Sequence, residues 1–361
     1  MPRLFCATLA SQFAYRRFPD AKEAIINSNS KVWTSAISVL PRLELDALVR
    51  ALAVNRGRSL SMFLGAGASI SSGMPSADRC IWEWKQDIFA TKNPTLRESV
   101  GEISLPGTKR RIQEWLDRRG GYPKSGAPSE YSFFAEACFP TSSDRRSFFQ
   151  QYVKRTVPFI GYRLLPLLAK AGLLRTVWTT NFDGLPVRAC ATANVSCIEV
   201  GIDTQQRLTL PLATGDLRVV SIHGDYRYDA LKNTTAELQS QETQLRKELV
   251  FELRDHDLLV LGYSGRDISL MDALAEAYSS PGAGRLYWCG MQAQPSLEVE
   301  GLLESATSVA REAFWVQSFG FDDLIERLAL RLLSDAELLA AKDILTSLTK
   351  ESGVAVGIPV A

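Results

Sequence analysis

Four short polar clusters carry the residue types that chemistry needs, and each stands directly behind an apolar run. The first is Gly65-Ala66-Gly67-Ala68-Ser69, continuing through Ile70, Ser71, Ser72, Gly73 and Met74 to Pro75. Glycines in that position let the backbone approach a diphosphate closely, and the N-terminus of a following helix would offer it N–H donors. Ser69 and Ser71 add hydroxyls. The same glycines can instead serve tight packing of a strand end, so the cluster alone leaves both readings open. It is not the oxidoreductase G-x-G-x-x-G, because Ile70 fills the last glycine position, and it lacks the lysine of a P-loop. The second cluster, Thr180-Asn181-Phe182-Asp183, reads either as a capped turn or as an amide holding a water or a ribose hydroxyl, with Asp183 fixing the loop. The third is His223-Gly224, where an imidazole at a strand end suits a general base. The other histidine, His256, lies between two aspartates and reads as part of a solvated turn. The fourth, Gly262-Tyr263-Ser264, offers a second close approach for phosphate or adenosine, or a plain turn into a helix capped by Asp267.

Those clusters need a scaffold that brings distant segments to one edge. Strand-length apolar runs at 59–64, 174–178, 218–222, 257–261, 285–289 and 313–316 alternate with helical patterns at 237–254, 268–278, 297–305 and 321–333. Short continuous apolar runs separated by helices predict an α/β fold: a Rossmann-like parallel sheet with helices on both faces. In such a sheet ligands bind at the carboxyl ends of the strands, where strand order reverses. Residues 1–57 read as an N-terminal helical extension and 58–333 as the catalytic domain. Proline and glycine breakers between 92 and 158 mark a helical insertion, and 334–361 form a C-terminal helix and tail.

Composition narrows the function classes. The 361 residues are 46% hydrophobic and 22% charged with a formal charge of +1, an ordinary globular profile without the global positive field that grips nucleic acid. No apolar run reaches the roughly 18 residues of a spanning helix, and the first ten residues lack the long apolar centre of a signal peptide. Up to Asp20 the chain is basic and acid-poor, a faint transit-peptide character. The six cysteines are scattered without a CxxC pair, which predicts reduced thiols in the cytoplasm and no metal site.

Taken in order, the four clusters resemble the sirtuin family of NAD-consuming enzymes across roughly residues 58–330. Gly65–Ser69 with Ser72-Gly73-Met74-Pro75 is similar to the family's opening dinucleotide motif. Thr180-Asn181-Phe182-Asp183 is similar to T-Q-N-x-D with Thr180 in place of glutamine, His223-Gly224 to the catalytic His-Gly, and Gly262-Tyr263-Ser264 to G-T-S. The resemblance implies NAD as substrate, with Gly65, Ala66, Gly67 and Ser69 around the pyrophosphate. It implies Thr180, Asn181 and Asp183 near the nicotinamide ribose, His223 as the base beside a catalytic Asn181, and Gly262 and Ser264 on the adenosine side. Three features depart from the family's protein deacylases. The four-cysteine zinc module is missing, Pro75 is followed by Ser76-Ala77-Asp78-Arg79 rather than Asp-Phe-Arg, and a helical insertion replaces the small domain. Those departures are similar to the sirtuin-like subunits of bacterial anti-phage systems that hydrolyse NAD. Residues 223–233 with 262–267 particularly resemble the type associated with short Argonautes.

The expectation is therefore an NAD hydrolase releasing nicotinamide and ADP-ribose as a cytoplasmic defence effector. Because the chain ends soon after its sheet, either a separate sensor partner or a truncated sequence is expected. The extra helices at 1–57 and 334–350 lead to the expectation of a homo-oligomer or hetero-complex that gates the pocket, without direct contact to nucleic acid or membrane. Two rivals stand beside it: an NAD-dependent protein deacylase, and a non-catalytic subunit that senses NAD or ADP-ribose.

Overall fold

The computed structural model describes residues 40–99, 101–127, 129–222 and 235–352. The expectations for residues 1–39, for His223 and Gly224, and for the tail beyond 352 lie outside them. In chain order the elements are α1 (Leu45–Val54), β1 (Leu60–Leu64), α2 (Ala77–Lys92), α3 (Pro106–Arg119), α4 (Glu130–Cys138), α5 (Ser142–Val153) and α6 (Ile160–Lys170). There follow β2 (Thr176–Thr179), α7 (Leu185–Thr192), β3 (Cys197–Val200), β4 (Leu217–Ser221), α8 (Thr235–Glu252), β5 (Asp257–Leu261) and α9 (Ile268–Ala277). The last are β6 (Leu286–Gly290), α10 (Leu297–Ser308), β7 (Ala313–Gln317), α11 (Phe321–Leu332) and α12 (Asp335–Ser352).

The seven strands form one sheet in the order β3-β4-β2-β1-β5-β6-β7, and every pairing is parallel. With helices on both faces this is the expected Rossmann-like α/β architecture. Strand alternation sends successive side chains to opposite faces. Leu60, Met62 and Leu64 of β1 join a core with α1, α6, α7, α11 and α12, whereas Phe63 joins the other core with α8, α9 and α10. All five β1 residues are buried, and four of them, all but Ser61, are apolar. On α11 the buried Phe321, Leu324, Ile325, Leu328, Ala329 and Leu332 recur every three or four residues, the stripe of a helix lying on a core. Each of the larger side chains in this stripe stabilises the fold by roughly 1.5–3 kcal/mol, and Ala329 by less.

Helix α1 is part of the first core through Leu45, Leu48, Val49 and Leu52. Just before it, Pro41 and Leu43 exchange backbone hydrogen bonds with Trp315 of β7, covering that sheet edge. Helices α2 to α5 have a separate aromatic core that includes Trp84, Phe89, Phe134 and Phe149. Inside it the Lys85 ammonium, fully buried, pairs with Glu130, donates to Gln113 Oε1 at 2.7 Å and lies 4.3 Å from the Trp82 ring. A buried charge is tolerable only with that complement of partners. No helix among the described residues is long and apolar enough to cross a membrane.

Candidate active site

Strand order reverses at β1 and β5: the connection from β1 leads toward β2, while β5 opens the opposite half of the sheet. At that point the loops after the two strands touch. Gly67 N–H donates to Gly262 O at 2.8 Å, and a Cβ on Gly67 would meet Gly262 Cα at 2.8 Å. Gly262 has φ +64°, which glycine adopts without penalty. The glycines thus serve a close approach of backbone to backbone, while Ala66 and Gly67 remain exposed at the sheet edge with Ser264.

The local structure after β1 differs from the sequence expectation. The glycine cluster leads into a single 3₁₀ turn, Ala66–Ser69, and not directly into an α-helix. Gly73 at φ +101° and Pro75 break the chain before α2 starts, capped by Ser76, whose side chain accepts from Arg79 N. A short turn supplies little of the dipole that a long helix would aim at an anion.

Beneath the turn lies a closed polar network. Ser69 Oγ donates to Asp183 Oδ2 at 2.6 Å, lies 2.8 Å from Tyr162 Oη, and accepts from Asn181 Nδ2 at 3.0 Å. Asn181 Nδ2 also donates to Gly65 O at 2.9 Å. A carbonyl can only accept, so the nitrogen of the Asn181 amide must face Gly65, which leaves Oδ1 as the atom available to a ligand. Asp183 engages Leu185 N with its other oxygen at 2.9 Å, holding the start of α7. Ser69, Asn181 and Asp183 are all buried. Their hydrogen bonds therefore shape the glycine turn and the β2–α7 loop, with Asn181 Oδ1 standing outside those bonds.

Thr180 is half-buried, and its N–H lies 3.4 Å from Leu64 O, while Thr179 Oγ1 donates to the same carbonyl at 2.8 Å. Ile222, the last described residue before His223, donates its N–H to Thr179 O at 2.9 Å, so β4 ends beside the Asn181 loop. Tyr263 packs its ring between Phe63 and Trp288, and Asp267 caps α9 by accepting from Leu270 N. His256 does stand in the turn before β5, but it is half-buried and not freely solvated, with Nδ1 3.4 Å from Ser61 Oγ and 3.7 Å from Glu252 Oε1. That cluster lies where β5 begins, at the opposite edge of the sheet.

Two participants escaped the sequence reading. Tyr162 sits in the leucine-rich α6, where its helical spacing makes it look like another core residue; the only signal was a hydroxyl in an apolar stripe. Burial and the nearby Asp183 carboxylate push its phenol well above the usual range, so it stays protonated and acts as a donor. Phe182 packs instead on the aromatic core of α2–α5, its ring edge-to-face with Phe149 of α5 at a centroid distance of 4.6 Å. Among the described residues no group of three or more His, Cys, Asp or Glu is arranged to hold a metal.

The comparisons bear on the second half of this edge. Residues 175–307 match the SIR2-like domain family, a span that includes Asn181, Asp183, His223, Gly262 and Ser264 but not the glycine turn. No curated protein matches the chain. The SIR2-like match supports a sirtuin-like family and implies NAD-dependent chemistry with NAD as substrate.

Proposed function

We propose that this chain hydrolyses the nicotinamide–ribose bond of NAD, giving nicotinamide and ADP-ribose. The observation that carries the reading is the buried Ser69–Asn181–Asp183 network, which ties the glycine turn to the β2–α7 loop at the switch point. It supplies an edge at which Asn181 Oδ1 is not used by Gly65 or Ser69, next to the strand end at Ile222 that precedes His223 in the sequence. Exposed Ala66, Gly67 and Ser264 fit a diphosphate and ribose lying across that edge.

The chemistry follows from the leaving group. The pyridinium nitrogen takes the bonding pair and departs as neutral nicotinamide, so no general acid is needed on that side. The ribose passes through an oxocarbenium-like state, as in glycoside hydrolysis. Asn181 Oδ1 orients the water or a ribose hydroxyl. As water oxygen bonds to the ribose carbon, His223 accepts the proton. In this reading the protein is a cytoplasmic effector of anti-phage defence that depletes NAD. It is held in check as a homo-oligomer or by a separate sensor such as a short Argonaute.

The test is incubation of the full chain with NAD, with and without the products of neighbouring genes, and identification of the products by mass spectrometry. Nicotinamide should appear without any acyl-lysine peptide. His223→Ala should lower the rate by about 10²–10³-fold, as expected for loss of one positioned polar group. Release that requires an acylated peptide would establish the deacylase instead. Intact NAD beside saturable binding would establish a sensor.

A further inference from the structure

We propose that Tyr162 is a positioning residue for this site, its buried hydroxyl acting through Ser69 Oγ to fix the orientation of the Asn181 amide. The inference rests on the NAD-cleaving reading above. Its basis is the count of hydrogens at Ser69. The serine hydroxyl has one hydrogen, and Asp183 Oδ2 takes it at 2.6 Å. Both other contacts at Oγ, from Tyr162 at 2.8 Å and Asn181 Nδ2 at 3.0 Å, must therefore be donors. With its hydrogen committed and both acceptor positions filled, the serine has no alternative rotamer in which it donates toward Asn181.

Tyr162 is itself held from three sides. It is fully buried, and its ring packs against Phe321 at 4.8 Å. The preceding Gly161 N–H donates to Asp322 Oδ1 at 2.7 Å, which clamps the first turn of α6 to the start of α11. A Cβ on Gly161 would strike the Phe321 ring, so the glycine permits this approach. The phenol thus enters the network from a rigid helix on the far side from solvent. Removing its oxygen opens one acceptor position on Ser69 and takes away the phenol's own contact with Asn181, so the serine is held by Asp183 and the Asn181 amide alone and both can shift more easily.

The discriminating experiment is a double-mutant cycle with Tyr162→Phe and Ser69→Ala on the full chain in its active state. Phenylalanine keeps the ring against Phe321, so the fold is retained. The expected result for Tyr162→Phe is a fall in kcat of about tenfold with KM changed by less than about twofold. In the Ser69→Ala background the same substitution should change kcat by less than about twofold. An unchanged kcat in Tyr162→Phe, or an equal loss in both backgrounds, would overturn the inference and leave only packing. If the unsubstituted protein releases no nicotinamide, the proposed function fails by itself. Amide hydrogen exchange over residues 180–185 then decides the positioning role, as it does where Ser69→Ala is too slow to assay. Exchange should quicken in Tyr162→Phe and quicken no further when that change is added to Ser69→Ala; any other pattern overturns the inference.

Discussion

Replacing Asn181 by the isosteric aspartate should harm the protein more than truncating it to alanine. Asn181→Ala removes two hydrogen bonds, to Gly65 O and Ser69 Oγ. Neither acceptor is orphaned: Gly65 O still accepts from Ala68 N at 3.0 Å, and Ser69 keeps Tyr162 and Asp183. At about 1 kcal/mol per bond the loss is about 2 kcal/mol. Asn181→Asp loses the same bonds and also turns a carboxylate oxygen toward a carbonyl and toward a hydroxyl whose hydrogen belongs to Asp183. An uncompensated buried charge costs about 3–5 kcal/mol. The introduced carboxyl responds by a raised pKa in the folded state. A raised acid is destabilising above its folded pKa, by about 1.4 kcal/mol for every tenfold weakening of the acid on folding, and the penalty is relieved as pH falls through that value. Urea unfolding of both variants should therefore find Asn181→Asp the weaker at pH 7 and the gap narrowing toward pH 5. If the aspartate variant matches or exceeds the alanine variant at neutral pH, the amide nitrogen does not face Gly65, and the site geometry is wrong. The same arithmetic means that loss of NAD cleavage in Asn181→Ala must be measured well below its lowered melting temperature.

Gly67→Ala would bring a methyl group within 2.8 Å of Gly262 Cα, so the two loops must part and lose the 2.8 Å hydrogen bond between them. We expect a cost of about 1–3 kcal/mol in thermal unfolding and weaker NAD binding by calorimetry; full retention of both counts against the switch-point contact. Phe182→Ala should cost roughly 1–2 kcal/mol through the lost Phe149 ring and slow NAD cleavage, whereas Phe182→Leu restores most of the stability. Burial raises the pKa of Glu252, but hydrogen bonds from His256, Ser61 and Trp178 outweigh it and hold the carboxyl below its ordinary 4.5. A depressed acid stabilises the fold above its unfolded pKa, and that stabilisation is lost as pH falls through the folded value. The difference in urea midpoint between wild type and Glu252→Gln should be present at pH 7 and shrink below about 4.5; a gap independent of pH contradicts this assignment.

The sheet was legible because six of its strands are apolar runs flanked by helical periodicity. The seventh, β3, escaped notice: Cys197, Ile198 and Glu199 are only half-buried, and a four-residue edge strand carries no continuous apolar signal. Helix α2 was hidden because Asp78, Arg79, Glu83 and Asp87 interrupt its buried tryptophans, which face the small aromatic core and not the sheet. At the site, Ser69, Asn181 and Asp183 were visible as polar residues behind apolar strands. Their internal engagement was not, because which way a hydroxyl or amide turns depends on partners more than ninety residues away. Tyr162 shows the limit most clearly: helical periodicity counts it as core, which it is, and says nothing about its oxygen.

The segment 180–184 answers to two interiors at once. Asn181 and Asp183 belong to the polar chamber under the glycine turn, while the ring between them is seated in the aromatic core of α2–α5. Grafting a foreign helical unit onto this sheet would therefore have to carry residue 182 with it. Otherwise the graft would leave a hole at the very loop that shapes the reactive edge.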